Sequence, residues 1–359
     1  MKKSYKKLII LFSSMIALLL IGIIAFLIIS NNKNTKSTAT NVQKPAVSTP
    51  APAATTTTPV DNNIYAPYTG EIVTKEVQEQ IPFMAIIEND RKARPQYGIS
   101  EADIMYETMA EGGIPRFMGL FQKNQPTVIG PIRSARPYFL DLSLEYGLPF
   151  AHCGGSAEAL NRIKGESNLL SLNEMANGNS YWRDNVVKVK DFERSLRTSS
   201  EKLTALIKSK NYVKPTTNSL KFDKTYWDNS SFAQANAVNL TLNISYSTSY
   251  SYKDGLYYKS MDGTATTDQN NGKAVSAKNI IIQIANFTAD SGNYRIFIDL
   301  VGSGTGYVIS NGKTIKMTWS RKDLSSPTVI KDESGKPISL TPGNTWWHII
   351  DKYAKVDIK

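Results

Sequence analysis

The chain has 359 residues, a net charge of +11 and a single cysteine. Its length suits about two domains, and one cysteine excludes an intramolecular disulfide framework, so folded parts must be held by their apolar cores. Seven lysines precede the first acidic residue, Asp61; taking them from +11 leaves +4 for residues 61–359, too little to point to nucleic acid. Residues 8–30, LIILFSSMIALLLIGIIAFLIIS, carry no charge and have the roughly 20-residue length that crosses a bilayer. Residues 1–7, with four lysines, should stay cytoplasmic as a basic tail under the positive-inside rule. This predicts a single-pass anchor in the cell membrane with the bulk of the chain extracytoplasmic. The rival is a cleaved signal peptide, whose apolar region is shorter and ends at a small-residue site. Residues 31–63, rich in Thr, Pro and Ala, cannot bury a core and read as a disordered linker.

Folded sequence begins near Tyr65. Phe83–Asn89, Ile104–Ala110 and Arg116–Gln122 read as strands, the last two joined by a turn at Gly112-Gly113-Ile114-Pro115. A helix should start near Pro137 and stop at Gly147. Leu148–Gly154 is a further short strand. Ser156 is placed to cap a helix with Leu160 and Ile163 on one face, and Ser199 or Ser200 to cap another. Residues 64–217 thus read as a mixed α/β domain. Residues 218–359 read as a mostly antiparallel β domain, a small sandwich or barrel, so the class is α+β. Val238–Tyr246 alternates apolar and polar residues, and Asp254-Gly255 and Asn311-Gly312 are hairpin signals. Asp299–Gly306 is glycine-rich without a phosphate-binding pattern and reads as a loop.

Several side chains could carry chemistry. Arg133 and Arg136, beside a helix start, could hold an anion or could pair internally with Glu107 or Glu111. Glu107 and Glu111 could divide acid and base roles at a glycosidic bond, or form salt bridges with Arg116, Arg133 or Arg136. His152 and Cys153 are adjacent on a strand, so their side chains point apart and do not make a nucleophile–base pair. Ser156 follows Gly154-Gly155 and serves as a helix cap or lines a ligand-facing loop. Two separated histidines and one cysteine predict no metal site, and no cofactor is expected. The aromatic residues Tyr246, Tyr250, Tyr252, Tyr257, Tyr258, Trp319, Trp346 and Trp347 could stack on sugars, but suit core or cross-strand pairs better.

The stretches ENDRKARPQYGISEADIMYETMAEGGIPRFMGLF, IGPIRSARPYFLDLSLEYG and HCGGSAEAL recur in order with DGLYYKS, AKNIIIQ, DLVGSGTGYVISNGKTIKMTWSR, SSPT and GKPISLTPGNTWWHII. From about Pro82 to Ile350 the chain resembles the YerB-like family of membrane-attached proteins of Gram-positive bacteria, a domain family of unknown function. The resemblance implies a two-domain extracytoplasmic protein, often attached by a lipid, and brings no established reaction. Three departures stand out. The apolar run of residues 8–30 replaces the lipid-attachment cysteine. Cys153 stands where the family more often has a small residue. Phe192-Glu193-Arg194-Ser195 replaces a common Pro-His-Asn run, which weakens a histidine-based mechanism. The leading expectation is a binding or scaffold protein of the cell envelope that meets a cell-wall polymer or another envelope protein through Arg133, Arg136 and His152. The alternatives are a peptidoglycan hydrolase or transferase using Glu107 or Glu111, and a purely structural membrane assembly factor.

Overall fold

The computed structural model describes residues 61–184, 189–215, 220–290 and 295–359. The anchor predicted at residues 8–30, and the linker up to residue 60, lie outside the described residues. Among the described residues, no helix is long and apolar enough to cross a membrane.

Residues 61–359 form one compact unit. Its first half contributes β1 (Phe83–Glu88), β2 (Ile104–Met109), β3 (Pro115–Phe121), α1 (Pro137–Tyr146), β4 (Phe150–His152), α2 (Ala157–Gly165), β5 (Ser171–Asn173) and α3 (Ser200–Ser209). The second half contributes β6 (Ala237–Thr241), β7 (Ser247–Lys253), β8 (Leu256–Met261), β9 (Asn279–Ala285) and β10 (Gly302–Ser310). It continues with β11 (Lys313–Arg321), β12 (Val329–Lys331), β13 (Thr345–Asp351) and β14 (Lys355–Ile358). The local signals act as expected. Ser156 and Ser199 cap α2 and α3, and Gly147 ends α1 at φ 61°. Asp254-Gly255 and Asn311-Gly312 turn the β7–β8 and β10–β11 hairpins, all four residues having positive φ.

The order of an α/β part before a mostly β part is seen, but the β part is not a sandwich or barrel of its own. One sheet runs β12-β11-β10-β9-β13-β2-β3-β1-β4-β5 and so draws on both halves. Its seam is β13, which pairs in parallel with β9 on one side and with β2 on the other. Four further strands of the second half, in the order β8, β7, β6 and β14, form the body of a second sheet. β13 is apolar on both faces, as a strand buried between two layers must be. Trp347 and Ile349 enter the core beneath α1, while Trp346 and Ile350 enter the core between the two sheets. Tyr250, Tyr257, Trp319, Trp346 and Trp347 are buried, which makes them core residues rather than a stacking row.

Two local readings change. Gly302–Ser310 is a strand, not a loop. A Cβ on Gly306 would come within 1.9 Å of the Ile282 carbonyl oxygen, and one on Gly304 within 2.5 Å of the Trp319 indole nitrogen. The glycines therefore permit close strand approach. On α2 Ala159 is fully buried in the core and Ile163 packs against it, while Leu160 is 37% exposed.

Candidate functional site

Strands β1, β4 and β5 run parallel, and their carboxyl ends lie at the end of the sheet where open α/β folds commonly hold ligands. The arginines singled out in the sequence stand at this end, but they are engaged. Arg133 Nε lies 2.5 Å from Glu88, and its terminal nitrogen lies 3.2 Å from Glu193. Arg136 Nε donates to Glu111 at 2.6 Å. Arg116 is buried, donates to the Ser134 carbonyl at 3.2 Å, and is pushed below the usual arginine range by desolvation. His152 is fully buried and stacked on Phe150. Its Nδ1 is 2.7 Å from the Gly154 carbonyl and its Nε2 2.8 Å from Ser171 Oγ. Burial lowers its pKa to about 4, so it is neutral at pH 7. Ser156 Oγ accepts the Ala159 N–H at 3.2 Å as a helix cap. Cys153 lies 3.3 Å from Glu174, and burial, followed by that carboxylate, raises its pKa. Each of the four predicted ligand contacts is thus engaged with another part of the protein.

Glu107 and Glu111 do not converge. Glu111 is held beside the start of α1 by Arg136. Glu107 points the other way, into the core between the sheets, and is about 1% exposed. Its partner is not Arg116, Arg133 or Arg136 but Lys259 of β8, whose Nζ donates to Oε2 at 2.8 Å. Lys259 also donates to Tyr250 OH at 3.1 Å and to Thr248 Oγ, and sits over the Trp346 ring. Trp346 Nε1 and Asn89 Nδ2 donate to Glu107 at 3.1 and 3.4 Å. His348, opposite Glu107 in the register, contacts Tyr250 OH at 2.8 Å through Nε2. Desolvation lowers the Lys259 pKa to about 8, against the opposing pull of Glu107, and holds His348 well below its ordinary value. Losing one member of a buried ion pair typically costs about 3–5 kcal/mol. The cluster therefore pins the second sheet to the first half of the chain.

An open cavity of about 490 Å³ lies beside this cluster. One wall is Arg91, Arg94, Pro95 and Gln96; the other runs from Met261 and Asp262 to Thr264–Thr267. Asp262 bridges the walls, accepting from Arg91 Nε at 2.9 Å and from an Arg94 terminal nitrogen at 2.8 Å. Gln96 is fully buried. Its Nε2 donates to the Glu88 carbonyl at 3.1 Å and to Asn89 Oδ1 at 2.9 Å. Both partners are acceptors, so the amide orientation is fixed. Gln96 Oε1 and Thr266 Oγ1 are buried without a hydrogen-bond partner among the protein's atoms. Such groups are uncommon in native proteins and call for an explanation.

The family described as "Protein of unknown function (DUF3048)" matches this chain twice, its N-terminal domain at residues 68–213 and its C-terminal domain at residues 237–347. The chain belongs to the DUF3048 family. The Bacillus subtilis protein named "Putative lipoprotein YerB" is 32% identical over 295 residues, spanning 79% of this chain and 86% of the relative. The crystal structure of the YerB protein from Bacillus subtilis superposes with a TM-score of 0.73 at 31% identity, covering 82% of this chain and 99% of the other. In this DUF3048 protein the cavity takes one wall from each matched region. Its two walls are far apart in the sequence: Arg91, Arg94 and Gln96 lie in a stretch that carries the family resemblance, and MDGTATT lies in the other matched region. The density of arginines ahead of Pro95 was the one available signal.

Proposed function

We propose that this chain is a membrane-attached binding protein of the bacterial cell envelope, anchored through residues 8–30 with its N-terminus in the cytoplasm, and that it holds a cell-wall polymer. The observation that carries the reading is the cavity between Arg91–Gln96 and Met261–Thr267, where the buried polar atoms of Gln96 and Thr266 lack partners. Ligand sites favour such interfaces between chain regions, with a few convergent polar groups on an otherwise apolar lining. The name of the Bacillus subtilis relative, "Putative lipoprotein YerB", supports attachment to the membrane. The hydrolase reading gains no support, because Glu107 is buried in an ion pair and Glu111 is bound to Arg136.

The test is co-sedimentation of the full chain, in detergent, with purified Gram-positive cell wall. The expected result is retention of the parent protein and roughly tenfold weaker retention of Gln96→Leu, the effect of losing one or two ligand hydrogen bonds. Failure of the parent to sediment would overturn the proposal.

A further inference from the structure

We infer that the cavity recognises a carboxylate-bearing sugar that also presents hydroxyl or amide N–H donors. This rests on the binding function proposed above and names the chemistry of its ligand. Three features of the lining converge on that class. The first is charge. Arg91 and Arg94 share the single carboxylate of Asp262, which leaves an excess of one positive charge. Arg94 is committed, through Nε and one terminal nitrogen to Asn89 and through the other terminal nitrogen to Asp262. Arg91 lies at the mouth with its side chain about 52% exposed. It spends Nε on Asp262 and one terminal nitrogen on the Ser245 carbonyl, so its other terminal nitrogen can meet an anion. A single excess charge suits a monoanionic carboxylate.

The second feature is the demand for a donor. Gln96 Oε1 is an acceptor by the fixed orientation of its amide, and it needs an O–H or N–H. A phosphodiester or sulfate is acceptor-only and cannot supply one. Thr266 Oγ1 can accept from, or donate to, a sugar hydroxyl. The third feature is the apolar part of the lining. Pro95, Met261 and Ala265 offer surface to the C–H face of a sugar ring or to an acyl methyl. The volume of about 490 Å³ falls within the roughly 300–1,000 Å³ of small-molecule sites.

The experiment is calorimetric titration of the full chain, in detergent micelles, with N-acetylmuramic acid, with N-acetylglucosamine, which lacks only the carboxylate-bearing ether, and with sulfate, an acceptor-only anion, as competitor. N-acetylmuramic acid should bind at least about tenfold more tightly than N-acetylglucosamine, as one charge-assisted hydrogen bond warrants. Sulfate should not displace it. Arg91→Gln, at a side chain about 52% exposed, should bring N-acetylmuramic acid down to the level of N-acetylglucosamine while leaving the unfolding midpoint of the unliganded protein close to the parent's. Gln96→Leu should weaken both sugars alike. Equal binding of the two sugars, displacement by sulfate, or full discrimination in Arg91→Gln would overturn the inference. If wall retention depends on Gln96 while N-acetylmuramic acid does not bind, the sugar assignment fails and the binding function stands. Absence of wall retention strikes the function itself.

Discussion

His152 shows what burial does to a single side chain in this protein. It is enclosed by Phe150, the Gly154 carbonyl and Ser171, and desolvation lowers its pKa from 6.5 to about 4. Between those values the unfolded chain binds a proton that the folded chain refuses, so stability falls as pH drops from 6.5 towards 4. The loss attributable to His152 approaches about 3 kcal/mol at the acid end. Asp103 works in the opposite sense: burial raises it to about 7, so its contribution favours the folded state as pH falls. Comparing denaturant unfolding of the parent with His152→Gln at each pH cancels the Asp103 effect. The variant should show the shallower acid loss; parallel profiles would contradict the assignment. The sequence revealed that His152 and Cys153 point apart. It did not reveal that both nitrogens of His152 are satisfied internally, because Ser171 belongs to a different strand.

At the scale of elements, local chemistry was legible wherever a signal and its consequence sit within a few residues. Ser156 and Ser199 cap their helices, Gly147 stops α1, and two Xaa-Gly pairs turn two hairpins. Legibility failed at Gly302–Ser310, since glycine in a strand is meaningful only against its neighbours. Gly306 sits against the Ile282 carbonyl of β9, so Gly306→Ala must push β10 off β9. The cost should exceed clearly the roughly 1 kcal/mol of an average substitution. Gly165→Ala is the control. It ends α2 with nothing within 4 Å of the added methyl, and should be neutral or stabilising by up to about 1 kcal/mol. Chemical denaturation of both variants checks the pair, and equal stabilities would refute the packing account.

At the scale of the molecule, the two halves legible in sequence are not two mechanical bodies. Nothing in the sequence near Thr345–Asp351 could show that this strand lies between β2 and β9, partners that come from different halves of the chain. For the same reason the Lys259 partner of Glu107, 152 residues away, was out of reach. A sheet continuous through β13 and a buried ion pair between the layers predict cooperative unfolding of residues 61–359. Scanning calorimetry should give one transition with matching calorimetric and van't Hoff enthalpies, and two separable transitions would contradict this. The same interleaving builds the cavity, whose walls come from Arg91–Gln96 and Met261–Thr267. The most direct test of the central claim is therefore hydrogen exchange of the full chain with and without soluble cell-wall fragments. The account predicts added protection confined to residues 91–97 and 261–268. Protection at residues 133–136 and 152–156, with the cavity unchanged, would contradict it.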